Sequence, residues 1–389
     1  MEKLLRHSAA GRTTAWGDND ARPELRTLRG CVLRVLLLWF ICGVWVLGIA
    51  GFAALWAGAL LSVIRWVVTQ GGTPVPRYVQ LYLSFMAVYE SYHYATRPTR
   101  HQWPLMRRLM RHVFTHYPYF RLNVTVFEER EEEKRKLRTG TDMGQMDSAI
   151  SDADAACKAV EENDVSPFVQ PNDHALFAFH PHGVLSCGWS FGGVHHMGFQ
   201  RADCRWLVAE SLFYFPVMRE LVNWMDFTSA AKPAFKRVLR TGQNVCLMPG
   251  GFEEATLYER GKHRVYIKQR FGFIKLALQH GYKVHPIYTF GEEYAYHTFP
   301  YLLNLRLKLN EFRMPGVLFF GRPECFYLPR TDVDLITVVG KPIVLPRIEH
   351  PSKGDVKRYH EQYVKALQQL FDRYKGVYAV DPEAKLEIY

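Results

Sequence analysis

Two histidines in the segment His180-Pro181-His182-Gly183 are the residues best suited to chemistry. An imidazole has an unperturbed pKa of about 6.5, so it can take a proton from a hydroxyl group at neutral pH. Pro181 fixes its own φ and Gly183 can adopt a positive φ, so a tight turn can hold both rings. The alternative is that both histidines are ordinary polar residues of a loop.

A second candidate group is Pro249-Gly250-Gly251, which is followed by Glu253 and Glu254. Two adjacent glycines let backbone N–H groups approach a ligand closely, as is needed to stabilise an oxyanion or to bind a phosphate. A carboxylate after them could orient an imidazole of another loop, as in a catalytic triad. We assign that role to Glu254 and expect Glu253 at the surface. A purely structural turn is the alternative.

Basic residues form the third group. Arg270 begins a predicted helix, and Lys262, His263, Arg264 and Lys268 precede it. With a formal net charge of +11 and no nucleic-acid motif, the chain suits anionic lipid headgroups or a phosphorylated ligand such as coenzyme A. A helix start with an arginine can bind such phosphates. A solvated loop is the alternative for this basic run, and we expect no nucleic-acid partner.

The elements that would position these groups alternate between strands and helices from residue 174 onward, which predicts an α/β sheet flanked by helices. Open sheets of this kind hold ligands at the carboxyl ends of their strands, where His180 would lie. The predicted strands are Ala175–Phe179, Trp206–Ala209, Val245–Met248, Val284–Tyr288 and Leu335–Val339. The predicted helices cover residues 214–225, 232–241 and 270–281 and a long segment from Val356 to Tyr374.

A membrane segment precedes this region. Val35–Ile64 contains no charged residue and is longer than the roughly 20 residues that span a bilayer. It is shorter than two full spans, so we predict a transmembrane hairpin over residues 31–70 that bends near Gly48 and Gly51. Arginines on both sides of the segment favour two cytosolic ends.

The other segments differ in composition. Residues 1–30 are polar and arginine-rich, which predicts a disordered cytosolic tail. Residues 71–127 carry aromatic and basic stretches typical of a membrane interface, and we expect the catalytic region to start there. Residues 128–173 predict a charged and disordered insert, and residues 174–389 form the α/β domain. The seven scattered cysteines favour reduced thiols on the cytosolic side.

The motifs, in their order, resemble the type-2 acyl-CoA:diacylglycerol acyltransferase family. The resemblance implies transfer of a fatty acyl group from acyl-CoA to the hydroxyl of diacylglycerol, which forms triacylglycerol, at the endoplasmic reticulum membrane and lipid droplets. Relatives use monoacylglycerol or long-chain alcohols instead. The matching pieces are His180-Pro181-His182-Gly183, Pro249-Gly250-Gly251 with Glu254, Arg270-x-Gly272-Phe273 with Ala277 and Gly281, Pro286-x-Tyr288-x-Phe290-Gly291-Glu292, and Val339-Gly340-x-Pro342-Ile343.

The resemblance also implies site roles. We expect His182 to be the general base rather than His180, because relatives replace the first histidine of the motif but keep the second. The oxyanion would lie at the amides of Gly250 and Gly251 or at the Gly183 turn. The residues expected to bind acyl-CoA are Arg270, Lys268 and Arg264. Acyl-CoA would be a substrate, and we expect neither a cofactor nor a metal; whether the protein forms an oligomer stays open.

Three alternatives compete with this interpretation. Lysophosphatidate and glycerol-phosphate acyltransferases use a His-x4-Asp motif, but Leu185 and Cys187 occupy the positions of the aspartate here. A zinc site on His180, His182 and His195 or His196 has no Cys, Asp or Glu at ligand spacing. A catalytically inactive lipid-droplet or membrane protein with the same fold is the third alternative.

Overall fold

The structure is a computed structural model. It describes residues 49–96, 103–116, 120–129, 169–214, 218–311, 316–323 and 325–389, together with residues 32, 36, 43 and 216. The predicted tail at residues 1–30 and residues 130–168 of the predicted insert lie outside the described residues.

A seven-stranded sheet is the centre of the fold. Its strands, in chain order, are β1 (Leu122–Phe127), β2 (Ala175–His180), β3 (Arg205–Val208), β4 (Thr228–Ser229), β5 (Val245–Leu247), β7 (Lys283–Phe290) and β10 (Asp334–Val339). Their order across the sheet is β1-β10-β7-β2-β5-β3-β4. Neighbours are parallel except β10 and β7, which are antiparallel. Two small sheets pair β6 (His263–Val265) with β11 (Leu386–Ile388) and β8 (His297–Thr298) with β9 (Phe319–Phe320).

Helices cover the sheet and extend before it. They are α1 (Ile49–Val68), α2 (Arg77–Thr96), α3 (Pro104–His116), α4 (Met197–Arg201), α5 (Met218–Trp224), α6 (Lys232–Arg240), α7 (Gly251–Thr256), α8 (Gly272–His280), α9 (Leu303–Glu311) and α10 (Lys353–Tyr378). Gly281 ends α8 in the left-handed conformation. Ser352 and Asp355 form a capping box at the start of α10. A π-helical turn, Gly188–Val194, follows the histidine motif.

Two apolar cores enclose the sheet. One contains side chains of α6, α8 and α10, and the other contains an aromatic group from β2, the π-helical turn and α4. All six residues of β2 are buried, which explains its nearly continuous apolar sequence: a strand covered on both faces has no need of alternating polar residues. This central strand fixes the position of the histidine motif.

The predicted α/β sheet flanked by helices is confirmed. Each of the five predicted strands is present, and most of their ends lie within one residue of the prediction. Strand β1 was not predicted from the sequence; it pairs with β10 although more than 200 residues separate the two strands. The sheet therefore includes residues before 174.

One helix in the described part of the chain, at Gly51–Val68, is long and apolar enough to cross a membrane. Its mean hydropathy is 1.7, and almost none of it is buried within the protein. Helix α1 passes through Gly51 without interruption, and Gly48 lies outside the described residues. Helix α2 packs on α1 through Val79, Tyr82 and Met86. The hairpin over residues 31–70 stays a prediction.

Candidate active site

The first histidine of the motif, His180, ends strand β2 and is completely buried. Its Nδ1 lies 3.1 Å from both carboxylate oxygens of Glu254, and its Nε2 lies 3.1 Å from the Tyr363 hydroxyl. Since a carboxylate only accepts, Nδ1 carries the proton and Nε2 accepts from Tyr363. Both ring nitrogens of His180 are therefore occupied by protein groups.

The second histidine, His182, is half-buried and lines a cavity. Its Nδ1 lies 3.0 Å from the carbonyl oxygen of Gly183, which can only accept, so Nδ1 carries the proton and the lone pair is on Nε2. Burial lowers the pKa of His182. The ring is thus neutral at neutral pH and can accept a proton.

Glu254 connects the two histidines from helix α7. Besides contacting the His180 ring, its buried carboxylate accepts hydrogen bonds from the backbone N–H of His182 at 2.6 Å and of Tyr266 at 2.7 Å. The Glu254 carboxylate therefore contacts the imidazole ring of His180, whereas it contacts only the main chain of His182. Such a carboxylate fixes the turn on both sides of Pro181.

Each glycine motif leaves room for a buried carboxylate. A Cβ at Gly250 would overlap the Glu254 carboxylate, and a Cβ at Gly183, where φ is +62°, would overlap Glu292. Gly251 has φ +60° and begins α7. Gly250 is thus needed for close packing, Gly251 for its backbone conformation and Gly183 for both.

The Gly250–Gly251 turn borders the cavity, since Met248 before it and Phe252 after it both belong to the cavity lining. The main chain of this turn thus lies at the wall of the same cavity as His182. The geometry brings together the two motifs that the sequence analysis assigned to proton transfer and to oxyanion binding.

Two further residues of the site had no assigned role in the sequence analysis. Glu292 is buried directly after β7 and accepts hydrogen bonds from Cys187 N at 3.1 Å and Gly188 N at 2.6 Å. Burial raises the pKa of Glu292 to about 8. The sequence Phe290-Gly291-Glu292, which follows a predicted strand, was the local pattern that could have indicated a role for Glu292. Tyr363, on α10, had no local signal because its contact with His180 spans 183 residues.

The cavity has a volume of about 400 Å³ and an almost entirely apolar lining. Its walls come from the π-helical turn, α5, α7 and the strand β9. Representative lining residues are Leu185, Phe191, Met225, Phe252 and Phe319. A space with such walls suits a hydrocarbon chain or another apolar ligand.

The predicted basic residues differ in their surroundings. Arg270 forms an ion pair with Glu253, stacks over the Tyr266 ring at 5.1 Å and lies 3.4 Å from the Gly250 carbonyl oxygen. Lys268 is exposed. Arg264 contacts two carboxylates, Glu259 at 2.6 Å and Glu387 at 2.7 Å. The structure therefore places Arg270 beside the glycine turn, while the charge of Arg264 is already compensated.

No group of three or more His, Cys, Asp or Glu residues in the described part of the chain is arranged to hold a metal ion. The two histidines considered as further zinc ligands, His195 and His196, are both buried. The Nδ1 atom of His196 accepts a hydrogen bond from Gly198 N at 3.0 Å.

Comparison with known proteins places the chain in one class. A family model for diacylglycerol acyltransferases matches residues 160–389. The chain belongs to the diacylglycerol acyltransferase family.

Several curated proteins are similar to it. Diacylglycerol O-acyltransferase 2 of Dictyostelium discoideum is 31% identical over 56% of this chain and 71% of the relative. The human diacylglycerol O-acyltransferase 2-like protein 6 is 33% identical over 59% of this chain and 74% of the relative. The human 2-acylglycerol O-acyltransferase 3 is 31% identical over 53% of this chain and 65% of the relative.

A solved structure, the 1-acyl-sn-glycerophosphate (LPA) acyltransferase PlsC from Thermotoga maritima, is 12% identical with a TM-score of 0.36. The match covers 88% of this chain and 95% of that chain. At this score the similarity supports no conclusion about the present fold or site.

Proposed function

We propose that the protein is a membrane-bound O-acyltransferase that moves a fatty acyl group from acyl-CoA to the hydroxyl of diacylglycerol, forming triacylglycerol. The observation that carries the proposal is a neutral imidazole, that of His182, on the wall of an apolar cavity. Membership of the diacylglycerol acyltransferase family supports the same reaction.

In this mechanism Nε2 of His182 removes the proton of the acceptor hydroxyl as its oxygen attacks the thioester carbonyl. Amides of the Gly250–Gly251 turn, or of the turn at Gly183, stabilise the oxyanion. Collapse of the tetrahedral intermediate breaks the carbon–sulfur bond, and the imidazolium returns its proton to the CoA thiolate. Glu254 and His180 keep the turn in place, which makes them positioning residues.

Arg270 and Lys268 are the proposed contacts of the CoA phosphates. Arg270 lies next to the glycine turn and its partner Glu253 is partly exposed, so a phosphate can compete for the guanidinium. Arg264 makes a smaller contribution in this proposal because two carboxylates already bind it. An Arg270→Ala variant should raise the KM for acyl-CoA and leave the KM for the lipid acceptor unchanged.

A related acceptor is the second candidate. A monoacylglycerol is favoured by the similarity to the human 2-acylglycerol O-acyltransferase 3, and a long-chain alcohol fits the same chemistry. Membranes containing the protein, incubated with labelled acyl-CoA and a panel of diacylglycerol, monoacylglycerol and alcohol acceptors, distinguish these products by their mobility.

The test of the mechanism is a His182→Ala variant. A positioned general base contributes about 10²–10⁴-fold, so triacylglycerol formation should fall at least 100-fold. His350→Ala, which replaces an exposed histidine before α10, is the matched control and should keep full activity. Near-normal activity of His182→Ala, with normal expression in membranes, would refute the assignment.

For the cellular location we propose the endoplasmic reticulum membrane, with lipid-droplet association and with both termini and the catalytic domain in the cytosol. The apolar surface of α1 and the arginines on both sides of the uncharged segment support this arrangement. Proteolysis of tagged termini in sealed microsomes checks it. Protection of one terminus but not the other would require a single span.

A further inference from the structure

Helix α9 buries an arginine and exposes two leucines. Its buried side chain is Arg306, whose guanidinium donates to the carbonyl oxygens of Gly316 at 2.6 Å and Thr256 at 2.7 Å. Leu305 is 57% exposed and Leu309 is 36% exposed. A helix on a water-facing surface normally buries its apolar residues and exposes its charges. The outer face of α9 thus carries exposed leucines beside polar residues, as does a helix at the boundary between water and an apolar phase.

Gly316, which accepts a hydrogen bond from Arg306, is followed by a short segment that also exposes apolar side chains. Phe319 lines the cavity, whereas its neighbours Leu318 and Phe320 are 67% and 53% exposed, as the alternation of a strand requires. Phe299 N donates to the Leu318 carbonyl oxygen, which joins the two arms of the β8–β9 pair. The exposed apolar residues of this region, called here the 299–326 surface, are Phe299, Tyr301, Leu302, Leu305, Leu309, Leu318, Phe320 and Phe326.

The uncharged segment of the same chain lies close to a residue that follows this surface in the sequence. Gly43, which belongs to the uncharged segment and is helical, lies beside Tyr327: a Cβ at Gly43 would be 4.0 Å from the Tyr327 hydroxyl. Tyr327 lines the cavity and directly follows Phe326. The uncharged segment thus lies beside a residue of the cavity wall whose neighbour in the chain, Phe326, belongs to the 299–326 surface.

From these contacts we propose that the 299–326 surface inserts into the interfacial layer of a phospholipid bilayer, as a second membrane contact besides the N-terminal helices. An apolar patch of this kind, next to a membrane segment, favours lipid over a second copy of the chain. Lys308, exposed on α9, and the net charge of +11 suit the anionic cytosolic leaflet.

One consequence concerns the cavity. Val317 and Phe319 line it from the inner side of the strand that carries Leu318 and Phe320 outside. Insertion of the outer residues would place the His182 cavity at the level of the lipid headgroups. An acceptor lipid could then reach the cavity sideways from the bilayer. This consequence rests on the proposed function, but the insertion does not.

The experiment measures insertion directly, without an activity assay. The full chain carries an environment-sensitive NBD label on a Leu305→Cys variant and is reconstituted into phosphatidylcholine–phosphatidylserine vesicles with or without nitroxide-labelled lipid. The cysteines other than the buried Cys187, Cys246 and Cys325, namely Cys31, Cys42, Cys157 and Cys204, are first replaced by serine, and that background protein is carried through the labelling as a blank.

A Val344→Cys variant is the matched control. Val344 is apolar and 77% exposed, but it follows Ile343, which pairs with Val284 at the start of β7. Glu292 and the cavity lie beyond the opposite end of that strand. The control label therefore reports an exposed apolar position at the far end of the sheet.

We expect nitroxide lipid to quench the label at residue 305 at least twofold more than the label at residue 344, with a blue-shifted emission in vesicles. Equal quenching at the two positions would overturn the proposal. So would a blue shift that persists in detergent and depends on protein concentration, since that would indicate a second copy of the chain. Should Leu305→Cys not fold, Tyr301→Cys provides the same measurement at a residue that is 68% exposed.

Discussion

The two sides of the His-Pro-His-Gly turn are chemically opposite. On the side of the sheet, His180, Glu254 and Tyr363 are fully buried and hydrogen-bonded to one another. On the other side, His182 lies on the wall of an apolar cavity. The comparison shows how a single turn can use one imidazole to fix its geometry and leave the next one available for a substrate.

The polar side is stable only because its groups have partners. A buried carboxylate is costly unless donors surround it, and Glu254 receives two backbone N–H groups and an imidazole N–H. Glu292 similarly receives two backbone N–H groups of the π-helical turn. The apolar side has the reverse effect: it disfavours the charged form of His182 and lowers the pKa of this residue.

Apart from loss of the His182 imidazole itself, the largest expected effect comes from replacing the carboxylate on the polar side. The two carboxylate oxygens of Glu254 accept from three donors, and a Glu254→Gln variant replaces one of these oxygens by an NH2 group that cannot accept. Each buried donor left unsatisfied costs about 1–3 kcal/mol. We expect a Tm several degrees lower and at least a tenfold lower kcat for acyl transfer. Thermal unfolding in detergent and an assay with labelled acyl-CoA measure the two effects.

Glu253→Gln is the matched control for Glu254→Gln, because the two residues are neighbours on α7 and Glu253 is partly exposed. Exposed ion pairs contribute about 0–1 kcal/mol, so its Tm should change little. If both variants had the same Tm and kcat as the wild type, Glu254 would have no positioning role.

An intermediate effect is expected where a glycine separates the two sides. Gly250 has φ −67°, which alanine tolerates, but the added Cβ would overlap the Glu254 carboxylate. Overpacking of this kind costs about 1–3 kcal/mol, and the displaced carboxylate should also lower kcat. Thermal unfolding and kcat of Gly250→Ala measure both consequences.

Gly376→Ala provides the contrast for Gly250→Ala. Gly376 lies inside α10, and nothing lies within 4 Å of the position of its Cβ. Alanine in a helix interior is about 0.5–1 kcal/mol more favourable than glycine, so this variant should be slightly more stable. A loss of stability as large as that of Gly250→Ala would show that the contact with Glu254 is not the cause.

Local sequence patterns predicted the elements that carry the site, because an apolar run followed by glycine and proline specifies a strand and a turn over a few residues. They also predicted the importance of Glu254, although its imidazole partner in the structure is His180. They could not predict the contact between His180 and Tyr363, or that of Cys187 with Glu292, which span 183 and 105 residues. Such pairs form only when the whole sheet is assembled.

The solvent exposure of individual side chains was another property that the sequence pattern could not predict. The leucines of α9 are equally compatible with a core helix and with a surface helix, and their exposure became known only from the structure. The roles predicted for Gly183 and Gly250 were also incomplete, because they depend on contacts with distant residues. Their positive φ or turn sequence is local, whereas the carboxylate that fills the space above each glycine comes from elsewhere in the fold.

The smallest expected effect concerns pH and the buried pair Glu293 and His263, whose Oε1 and Nε2 atoms are 3.7 Å apart. Burial raises the pKa of Glu293 from 4.5 to about 7, so the folded state keeps a proton that the unfolded state loses, and stability falls with rising pH across that interval. Burial lowers the pKa of His263 from 6.5 to about 4, so stability rises with pH across that interval.

The two contributions oppose each other between about pH 4.5 and 6.5, so a Glu293→Gln variant should reveal the contribution of His263. Relative to the wild type, its Tm should increase from pH 5 to pH 7, by a few degrees. Glu383→Gln, at an exposed position near the carboxyl terminus, should keep the wild-type pH dependence. Thermal unfolding of the three proteins in one detergent at both pH values provides the measurement. The same dependence of Tm on pH in all three proteins would show that the pKa of Glu293 is equal in the folded and unfolded states. Burial would then not affect Glu293 as it affects the buried groups beside the turn.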